Sequence, residues 1–177
     1  MFVINEGGNR KAMIVQIRVD DRLVHGQVAL VWSKQFGVTH MVVANDAAAK
    51  DDIQKMTLKM ATPNGIKLLV KSVNDSIALF NDERAASVPM FVLTNSVVDA
   101  LKIAENCKVQ SINVANVGRF STATKKYKLN SDVVCEPQEL EALKKVAKLK
   151  GVEAIHQVIP TKPKVPLKKL LEKIEEE

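Results

Sequence analysis

The sequence predicts an α/β fold in which a mostly parallel, open and twisted sheet carries helices on both faces. Short runs rich in Val, Ile and Leu alternate along the chain with amphipathic segments, as expected for parallel strands joined by helices. The connections between these runs are short, and the one linker-like piece lies between Pro160 and Pro166. Whether the last strand runs antiparallel to the others is left open.

Six apolar runs have the length and the β-branched content of strands. They cover residues 13–19, 39–44, 66–70, 88–93, 110–115 and 152–159. Residues 121–132 are polar and rich in lysine, and within them we predict a short strand near residues 126–129. The brief apolar pair Val133-Val134 follows this segment.

The segments between the strands have apolar residues at helical spacing. The first predicted helix covers residues 26–36 and ends at Gly37, a residue type that suits the C-terminal end of a helix. The second predicted helix follows Asn45-Asp46. One face of this second helix carries Ile53, Met56 and Met60.

Four more helices are predicted further along the chain. Two of them begin at capping-box sequences, residues 72–75 and 96–99, in which Ser precedes Asp by three residues. Pro137 suits the first turn of the next helix. After a connector stiffened by prolines, a last amphipathic helix carries Leu167, Leu170, Leu171 and Ile174. Its acidic end, residues 175–177, opposes the helix dipole and is expected to fray.

The length indicates one domain. Residues 13–177 are expected to form a single α/β domain with a C-terminal helix, large enough to bury a substantial core. Residues 1–12 have no hydrophobic period and contain Gly7-Gly8, and a second methionine, Met13, begins the first predicted strand. We therefore interpret residues 1–12 as an N-terminal extension or an expression scar without a role in the fold.

Composition argues against several classes of protein. No apolar run reaches the roughly 18–20 residues that a membrane span needs, and no secretory leader is expected. The two cysteines, Cys107 and Cys135, lie far apart and outside any CxxC, so we expect two reduced thiols. The net charge of +6 would suit nucleic acid, but stacking aromatics are scarce and only Tyr127 lies among lysines. Nucleic acid is therefore not a predicted partner.

The most reactive set of side chains lies on one strand-to-helix turn, residues 20–27, which read Asp-Asp-Arg-Leu-Val-His-Gly-Gln. In open α/β sheets, ligands collect at the carboxyl ends of strands, and a helix N-terminus presents N–H groups that suit a phosphate. His25 supplies an imidazole, a nucleophile that is neutral near pH 7, and the planar guanidinium of Arg22 can reach phosphoryl oxygens. These residues make His25 a candidate for accepting and passing on a phosphoryl group.

The other residues of the turn are expected to support this chemistry. Asp21, Gly26 and Gln27 are assigned to the phosphate-binding part of the turn, where backbone N–H groups can bind the phosphoryl oxygens. Asp20 is assigned a supporting role, because a carboxylate aimed at the phosphoryl group would repel it. One of the two carboxylates can instead hold Arg22, or the far ring nitrogen of His25, in place.

Residues 18–28, Arg-Val-Asp-Asp-Arg-Leu-Val-His-Gly-Gln-Val, closely resemble the active-site loop of one family. That family comprises the enzyme IIB components of bacterial sugar phosphotransferase systems of the mannose/fructose/sorbose type. The layout of residues 13–160 is compatible with the same family. The resemblance implies that His25 is the phosphorylated residue, that Arg22 stabilises the transferring group and that Asp20 supports them. It implies no cofactor.

The resemblance also implies two partners. A phosphohistidine on a IIA protein or domain would donate its phosphoryl group to His25. A membrane complex of IIC and IID would then receive the protein and pass the group to the sugar during uptake. The protein would be cytoplasmic and associated with the inner face of the membrane through IIC/IID, without stable insertion. The sugar, the phosphorylated ring nitrogen and a homo-oligomer are left open.

Residues after two other strands are candidates for a wall of the site. Asp46 follows the second strand, and Asn116 and Gly118 follow the fifth. Members of the family commonly have Asn-x-Gly-Gly at the latter place, whereas this chain has Arg119 at the second glycine, so the shape of that loop is left open. The alternative for these residues is that they only stabilise the turns in which they lie. No metal-ligand motif and no nucleotide-binding glycine pattern is present, so neither kind of site is predicted.

Two other functions remain open from the sequence. A small α/β phosphatase or hydrolase could use His25 as nucleophile and Asp20 as acid, without a protein donor. A basic binding adaptor would use the net charge of +6 and no phosphohistidine chemistry.

Overall fold

The computed structural model describes residues 13–176, with side chains as far as Glu175. The predicted extension, residues 1–12, lies outside the described residues. The strands are β1 (Met13–Asp20), β2 (His40–Ala44), β3 (Lys67–Lys71), β4 (Pro89–Thr94), β5 (Ser111–Asn116), β6 (Tyr127–Lys128), β7 (Val134–Cys135), β8 (Glu153–His156), β9 (Val165–Pro166) and β10 (Glu175–Glu176). The helices are α1 (Gly26–Phe36), α2 (Asp46–Lys50), α3 (Asp52–Met60), α4 (Val73–Asn81), α5 (Val97–Asn106), α6 (Pro137–Val146) and α7 (Leu167–Leu171), with a short 3₁₀ helix at Glu83–Ala85.

The main sheet has seven strands in the order β3-β2-β4-β1-β5-β8-β9. Neighbouring strands are parallel throughout, except that β9 runs antiparallel to β8 at one edge. The predicted fold class is therefore confirmed. The strand predicted over residues 152–159 is the shorter β8, which is parallel to β5. The antiparallel strand is β9, which lies in the segment predicted to be a connector.

Helices cover both faces of this sheet because side chains alternate along each strand. On β2, Val42 points into a core formed with α4, α5, α6 and α7, whereas Met41 points into a second core formed with α1 and α3. Within the described part of the chain, no helix is both long enough and apolar enough to cross a bilayer.

The helix predicted after Asn45-Asp46 is in fact two helices, α2 and α3, which meet at Asp51. Asp51 is extended, and its carboxylate accepts a hydrogen bond from the backbone N–H of Gln54, so it ends one helix and caps the next. Leu58 is the residue through which α3 packs on the second core. The other face of α3 is left in solvent, and there Ile53, Met56 and Met60 are 76%, 60% and 81% exposed.

A small antiparallel sheet, β10-β6-β7, pairs the last described strand with two short strands that lie between β5 and α6 in the chain. Its strand β6 confirms the short strand predicted near residues 126–129. The predicted last helix is wrong at its end, because α7 stops at Leu171 and residues 175–176 form a strand instead of fraying. Strand pairing places Glu175 opposite Lys128. Opposite charges facing each other across two strands favour this arrangement over a helix end that repels its own dipole.

Candidate active site

Polar residues gather at the edge of the sheet where the parallel strands end. Asp20 is the last residue of β1 and is the partner of Asn116, the last residue of β5, after a shift in register at this end of the two strands. Asn45 and Asn95, which follow β2 and β4, are joined by a side-chain hydrogen bond of 2.7 Å. Because β1 lies at the middle of the sheet, between β4 and β5, the turn that follows it has ordered loops on both sides.

Asp20 is the centre of a buried hydrogen-bond cluster at this edge. Its carboxylate, which is 1% exposed, accepts from Arg18 Nη2 at 2.9 Å and from Asn116 Nδ2 at 3.0 Å. It also accepts from the backbone N–H of Arg22 at 3.1 Å and from Arg22 Nε at 3.2 Å. Burial alone would raise the pKa of Asp20, but the hydrogen bonds from Arg22 and the charge of Arg18 outweigh it and lower the pKa. Asp20 is thus held as a carboxylate that fixes Arg22.

Arg18 is a member of the cluster for which the sequence predicted no role of its own. It lies within β1 with its side chain fully buried, and its guanidinium is 5.8 Å from the ring centroid of Trp32. Its Nη1 atom donates to the carbonyl of Gln157 at 3.3 Å, whereas Nε is buried without a hydrogen-bond partner among the described residues. Burial lowers the pKa of Arg18, and the charge of Asp20 opposes this shift. An arginine between Ile17 and Val19, inside a buried strand, was the signal that could have identified it.

His25 lies at the tip of the turn and is exposed. The backbone reaches it through Leu23, which has a positive φ of 57° and a side chain that is only 4% exposed. The left-handed conformation costs a non-glycine residue about 1 kcal/mol or more. His25 then occupies the N-cap position of α1, but its side chain makes no capping hydrogen bond. The imidazole is thus presented to solvent at the positive end of a helix dipole.

Gly26 and Gln27 begin α1, where N–H groups lack acceptors within the helix. Gln27 is exposed. Gly26 lies against the end of α3, since a Cβ at this position would be 3.2 Å from the carbonyl oxygen of Ala61. Both residues therefore lie beside His25 at the N-terminus of the helix, the position predicted for them from the sequence.

Asp21 holds the loop that follows β5. Its carboxylate accepts a hydrogen bond of 2.8 Å from the backbone N–H of Arg119, and its own N–H donates to the carbonyl of Asn116 at 3.0 Å. Burial raises the pKa of Asp21, and hydrogen bonds from the backbone of Arg119 and Gly118 oppose the shift. Because its N–H is already used within the protein, Asp21 shapes the site through the loop.

The loop after β5 approaches β7 closely at Gly118. This residue has a φ of 83°, and a Cβ there would lie 1.9 Å from the carbonyl oxygen of Val134. Next to it is a shallow, open cavity of about 290 Å³, which Asp21, Gly118 and Phe120 help to line. In this chain the loop turns at Gly118, and the backbone N–H of Arg119, at the position of the second glycine, binds Asp21.

Asp46 is the one candidate wall residue that lies apart from the turn. It begins α2 after β2, and β4 separates β2 from β1 in the sheet. Its carboxylate accepts a hydrogen bond of 2.8 Å from the backbone N–H of Val73, at the start of α4. Among residues 13–176, no three His, Cys, Asp or Glu side chains are grouped so that they could hold a metal ion together.

Two guanidinium groups share one carboxylate at this site, so the buried cluster carries one excess positive charge directly below the turn. The exposed imidazole of His25 lies three residues beyond Arg22, at a helix N-terminus. Fold and site together define an open, parallel α/β domain in which a guanidinium and a helix N-terminus, at the middle of the carboxyl edge, suit a phosphoryl group.

Comparison with known proteins identifies the family. Residues 14–177 match the family model described as "PTS system sorbose subfamily IIB component". The chain is 51% identical over 162 residues to a probable phosphotransferase enzyme IIB component of Streptococcus pyogenes, covering 90% of this chain and 99% of that protein. It is 30% identical over 165 residues to the sorbose-specific EIIB component of Klebsiella pneumoniae, covering 92% and 96%. The chain therefore belongs to the sorbose subfamily of PTS IIB components, which act as phosphotransferases in sugar uptake.

Solved structures agree with this assignment. The IIB domain of the sorbose permease from Klebsiella pneumoniae has a TM-score of 0.81 and 26% identity, covering 91% of this chain and 96% of that one. The N-acetylgalactosamine-specific IIB component 1 from Escherichia coli has a TM-score of 0.76 and 28% identity, covering 86% and 97%. The mannose-specific EIIAB component of Escherichia coli is 31% identical over 170 residues, and this chain spans 51% of its length.

Proposed function

We propose that this IIB component carries a phosphoryl group on His25, which it accepts from a phosphohistidine of a IIA partner and passes on to a sugar. The observation that carries the proposal is the exposed His25 imidazole at the N-terminus of α1, three residues from an arginine that Asp20 fixes in place. A protein with this turn needs no cofactor and no metal for the transfer.

In the first step, a ring nitrogen of His25 attacks the phosphorus atom of the donor's phosphohistidine. A new P–N bond forms as the old one breaks, and the donor imidazole leaves with the electron pair of the broken bond. Negative charge on the three phosphoryl oxygens is stabilised during the transfer by Arg22 and by the free N–H groups at the start of α1. Asp20 and Arg18 act as positioning residues, since Asp20 holds Arg22 and the buried Arg18 holds Asp20.

In the second step, the oxygen of a sugar hydroxyl attacks the phosphorus atom of phosphohistidine 25, and the P–O bond of a sugar phosphate forms as the P–N bond breaks. The His25 imidazole leaves with the electron pair of that bond and takes up the hydroxyl proton, which restores neutral histidine. We place this step at a membrane complex of IIC and IID, with the IIB component docked on its cytoplasmic side. One relative is named a mannose-specific EIIAB component, and this chain matches about half of that protein. That name supports a IIA protein or domain as the donor.

The state of Asp20 argues against the phosphatase alternative. That mechanism needs a carboxylic acid with a proton to donate near neutral pH. Asp20 is buried, accepts hydrogen bonds from Arg18, Arg22 and Asn116, and has a lowered pKa, so it has neither a proton nor access to a leaving group. A carboxylate with these contacts suits a positioning role.

Labelling by a donor protein tests the proposal. The chain is incubated with IIA proteins phosphorylated with radioactive phosphate, and the label should appear on His25, be acid-labile and stable in base. His25→Ala should abolish it. His40→Ala is the matched control, because His40 lies at the start of β2, at the opposite end of the parallel strands.

Other outcomes distinguish the alternatives. Label that persists in His25→Ala would contradict the assignment of the acceptor. Release of free phosphate from small phosphoesters, without any donor protein, would favour a hydrolase. If the chain is not labelled and does not hydrolyse phosphoesters, a binding adaptor is favoured.

A further inference from the structure

Three large apolar side chains form an exposed stripe on α3. They are Ile53, Met56 and Met60, and we call them the α3 stripe. Their spacing of three and four residues places them on one side of the helix, opposite Leu58, which packs in the core. Single exposed apolar residues are ordinary, but three on one helical face form a continuous patch of the kind that marks an interaction site.

The α3 stripe begins next to the reactive turn. The end of α3 lies against the start of α1, because a Cβ at Gly26 would be 3.2 Å from the carbonyl oxygen of Ala61. Met60 precedes Ala61, and Gly26 follows His25. From Met60 the stripe extends away from the turn for about 10 Å, the length of seven residues at 1.5 Å each.

Phe120 supplies an apolar group on another side of the turn. It is 71% exposed and lies in the loop after β5. The hydrogen bond from Arg119 N–H to the Asp21 carboxylate ties this loop to the turn. Met60 and Phe120, from two separate elements, are therefore each one residue away from a residue that contacts the turn.

We propose that the α3 stripe and Phe120 form the surface on which the phosphoryl-donating IIA protein docks, with an apolar surface of its own around its phosphohistidine. This inference rests on the proposed function, because it assumes that His25 receives the phosphoryl group from a protein. Direct transfer requires the two imidazoles to approach one phosphorus atom, so the donor surface must be centred on His25. A typical interface covers about 800 Å² on each partner, a patch of roughly 16 Å radius, so it reaches beyond the turn to the elements that contact it.

Apolar contacts also suit the chemistry of this encounter. They exclude water from the transfer site, which strengthens the attraction between Arg22 and the phosphoryl oxygens. Methionine side chains are flexible and adapt to a partner surface without a fixed shape. The relative named EIIAB component favours a IIA protein over other occupants, since it carries a IIA part and a part similar to this chain in one protein.

The test compares two phosphoryl donors on a triple variant, Ile53→Gln, Met56→Gln and Met60→Gln, in which glutamine preserves helix propensity. The protein donor is the phosphorylated IIA protein that labels the wild type best, and the chemical donor is phosphoramidate. We expect the apparent KM for the IIA protein to rise roughly tenfold or more, as for an interface that loses its apolar centre. The rate with phosphoramidate should stay as in the wild type. Phe120→Gln should act in the same direction with a smaller effect.

Leu69→Gln is the matched control. Leu69 is 40% exposed on β3, and it pairs in register with Val42, whose side chain faces the core on the opposite side of the sheet from α3. Its change should leave both donors unaffected. If the wild type accepts no label on His25 from either donor, the proposed function itself fails. If the wild type is labelled and the triple variant has an unchanged apparent KM for the IIA protein, only the proposed docking surface is overturned.

Three further measurements exclude other occupants of the stripe, and each adverse result overturns the proposal. A concentration-dependent dimer of the wild type that is lost in the triple variant would assign the stripe to a second copy of the chain. A triple variant that accepts the phosphoryl group from the IIA protein at the wild-type rate, and yet fails to phosphorylate sugar in permease-containing vesicles, would give a different assignment. That result would assign the α3 stripe to the contact with the membrane complex. A clearly lower unfolding temperature, or a lower rate with phosphoramidate, would mean that the stripe supports the chain itself.

Discussion

At the scale of single residues, the site depends on how one buried carboxylate is shared. Asp20 accepts hydrogen bonds from Arg18 below it, from Asn116 beside it and from Arg22 above it. The backbone N–H and Nε of Arg22 both bind the same oxygen of Asp20, so the guanidinium is held at two points. An arginine positioned before the phosphoryl group arrives loses little further entropy during transfer, which is the advantage of a preorganised site.

Arg22→Ala should slow phosphoryl transfer from both donors by about a hundredfold to a thousandfold, because a charge-stabilising donor is lost. The free energy of unfolding should fall by about 1 kcal/mol or less, since the Arg22 side chain is 29% exposed and its ion pair is at the surface of the cluster. Rapid-quench labelling and urea denaturation measure the two effects. Arg84→Ala, which breaks an exposed ion pair with Asp82, is the control for both. Transfer at the wild-type rate would exclude the proposed role of Arg22.

Asp20→Asn should destabilise the protein by about 3 kcal/mol or more at pH 7, because it leaves the buried Arg18 without its counter-charge. The folded-state pKa of Asp20 is lowered, so its contribution is complete above the ordinary Asp pKa of about 3.9 and is lost as pH falls through the folded pKa. The difference in the free energy of unfolding between Asp20→Asn and the wild type should therefore become smaller at acidic pH. Denaturation with urea between pH 7 and pH 2.5 measures it, with the exposed Asp52→Asn as control. A difference that is constant with pH would contradict this account.

At the scale of elements, the turn after β1 is shaped by its neighbours on the sheet edge. The loop after β5 is tied to the turn by hydrogen bonds between Asp21 and the backbone of Asn116 and Arg119. On the other side, α3 ends against the first residue of α1. The reactive turn is therefore supported from both sides, although His25 itself is free of side-chain hydrogen bonds in the capping position.

Gly118→Ala should distort the loop after β5. Besides the strain of a φ of 83°, the new Cβ would lie 1.9 Å from the backbone oxygen of Val134, so the main chain must move. We expect a loss of about 2–3 kcal/mol in the free energy of unfolding, together with slower transfer, because the loop carries the contact to Asp21. Gly65→Ala is the control, since it has a φ of 84° and open space around the Cβ, and it should cost only about 1 kcal/mol. Equal losses in the two variants would show that the close contact with Val134 is unimportant.

At the scale of the whole molecule, the excess of lysine and arginine gives the chain a net charge of +6. A positive field attracts anionic surfaces, including a phosphorylated partner and the cytoplasmic face of a membrane. Such a field acts mainly on the rate of encounter and is screened by salt over about 10 Å at 0.1 M ionic strength.

The rate of association with the phosphorylated IIA protein should therefore fall by about tenfold between 0.05 M and 0.5 M NaCl. Stopped-flow fluorescence of a labelled IIA protein measures this rate. The rate at which phosphoramidate phosphorylates His25 in the same buffers shows whether salt acts on the turn itself. This rate should fall much less than the rate of association with the IIA protein. Association that proceeds equally fast at both salt concentrations would mean that the net charge does not steer docking.

Local patterns in the sequence determined much of the fold and the position of the site. The first helix was predicted with its observed bounds, Gly26–Phe36, because its apolar spacing and its final Gly37 are both local signals. Ser72 and Ser96 cap α4 and α5 as their capping-box sequences predicted. The grouping of Asp20, Arg22 and His25 on one turn was visible for the same reason, since these residues are neighbours in the chain.

Tertiary structure alone decided which distant groups meet. Asn116 reaches Asp20 because β5 is the neighbour of β1. Arg18 meets the ring of Trp32 because α1 packs on the face of the sheet to which Arg18 points. The exposure of the α3 stripe and the strands β9 and β10 likewise followed from packing and pairing. Periodicity and capping record only contacts within a few residues, whereas strand order sets the partners of residues about a hundred positions apart, and no local pattern encodes that order.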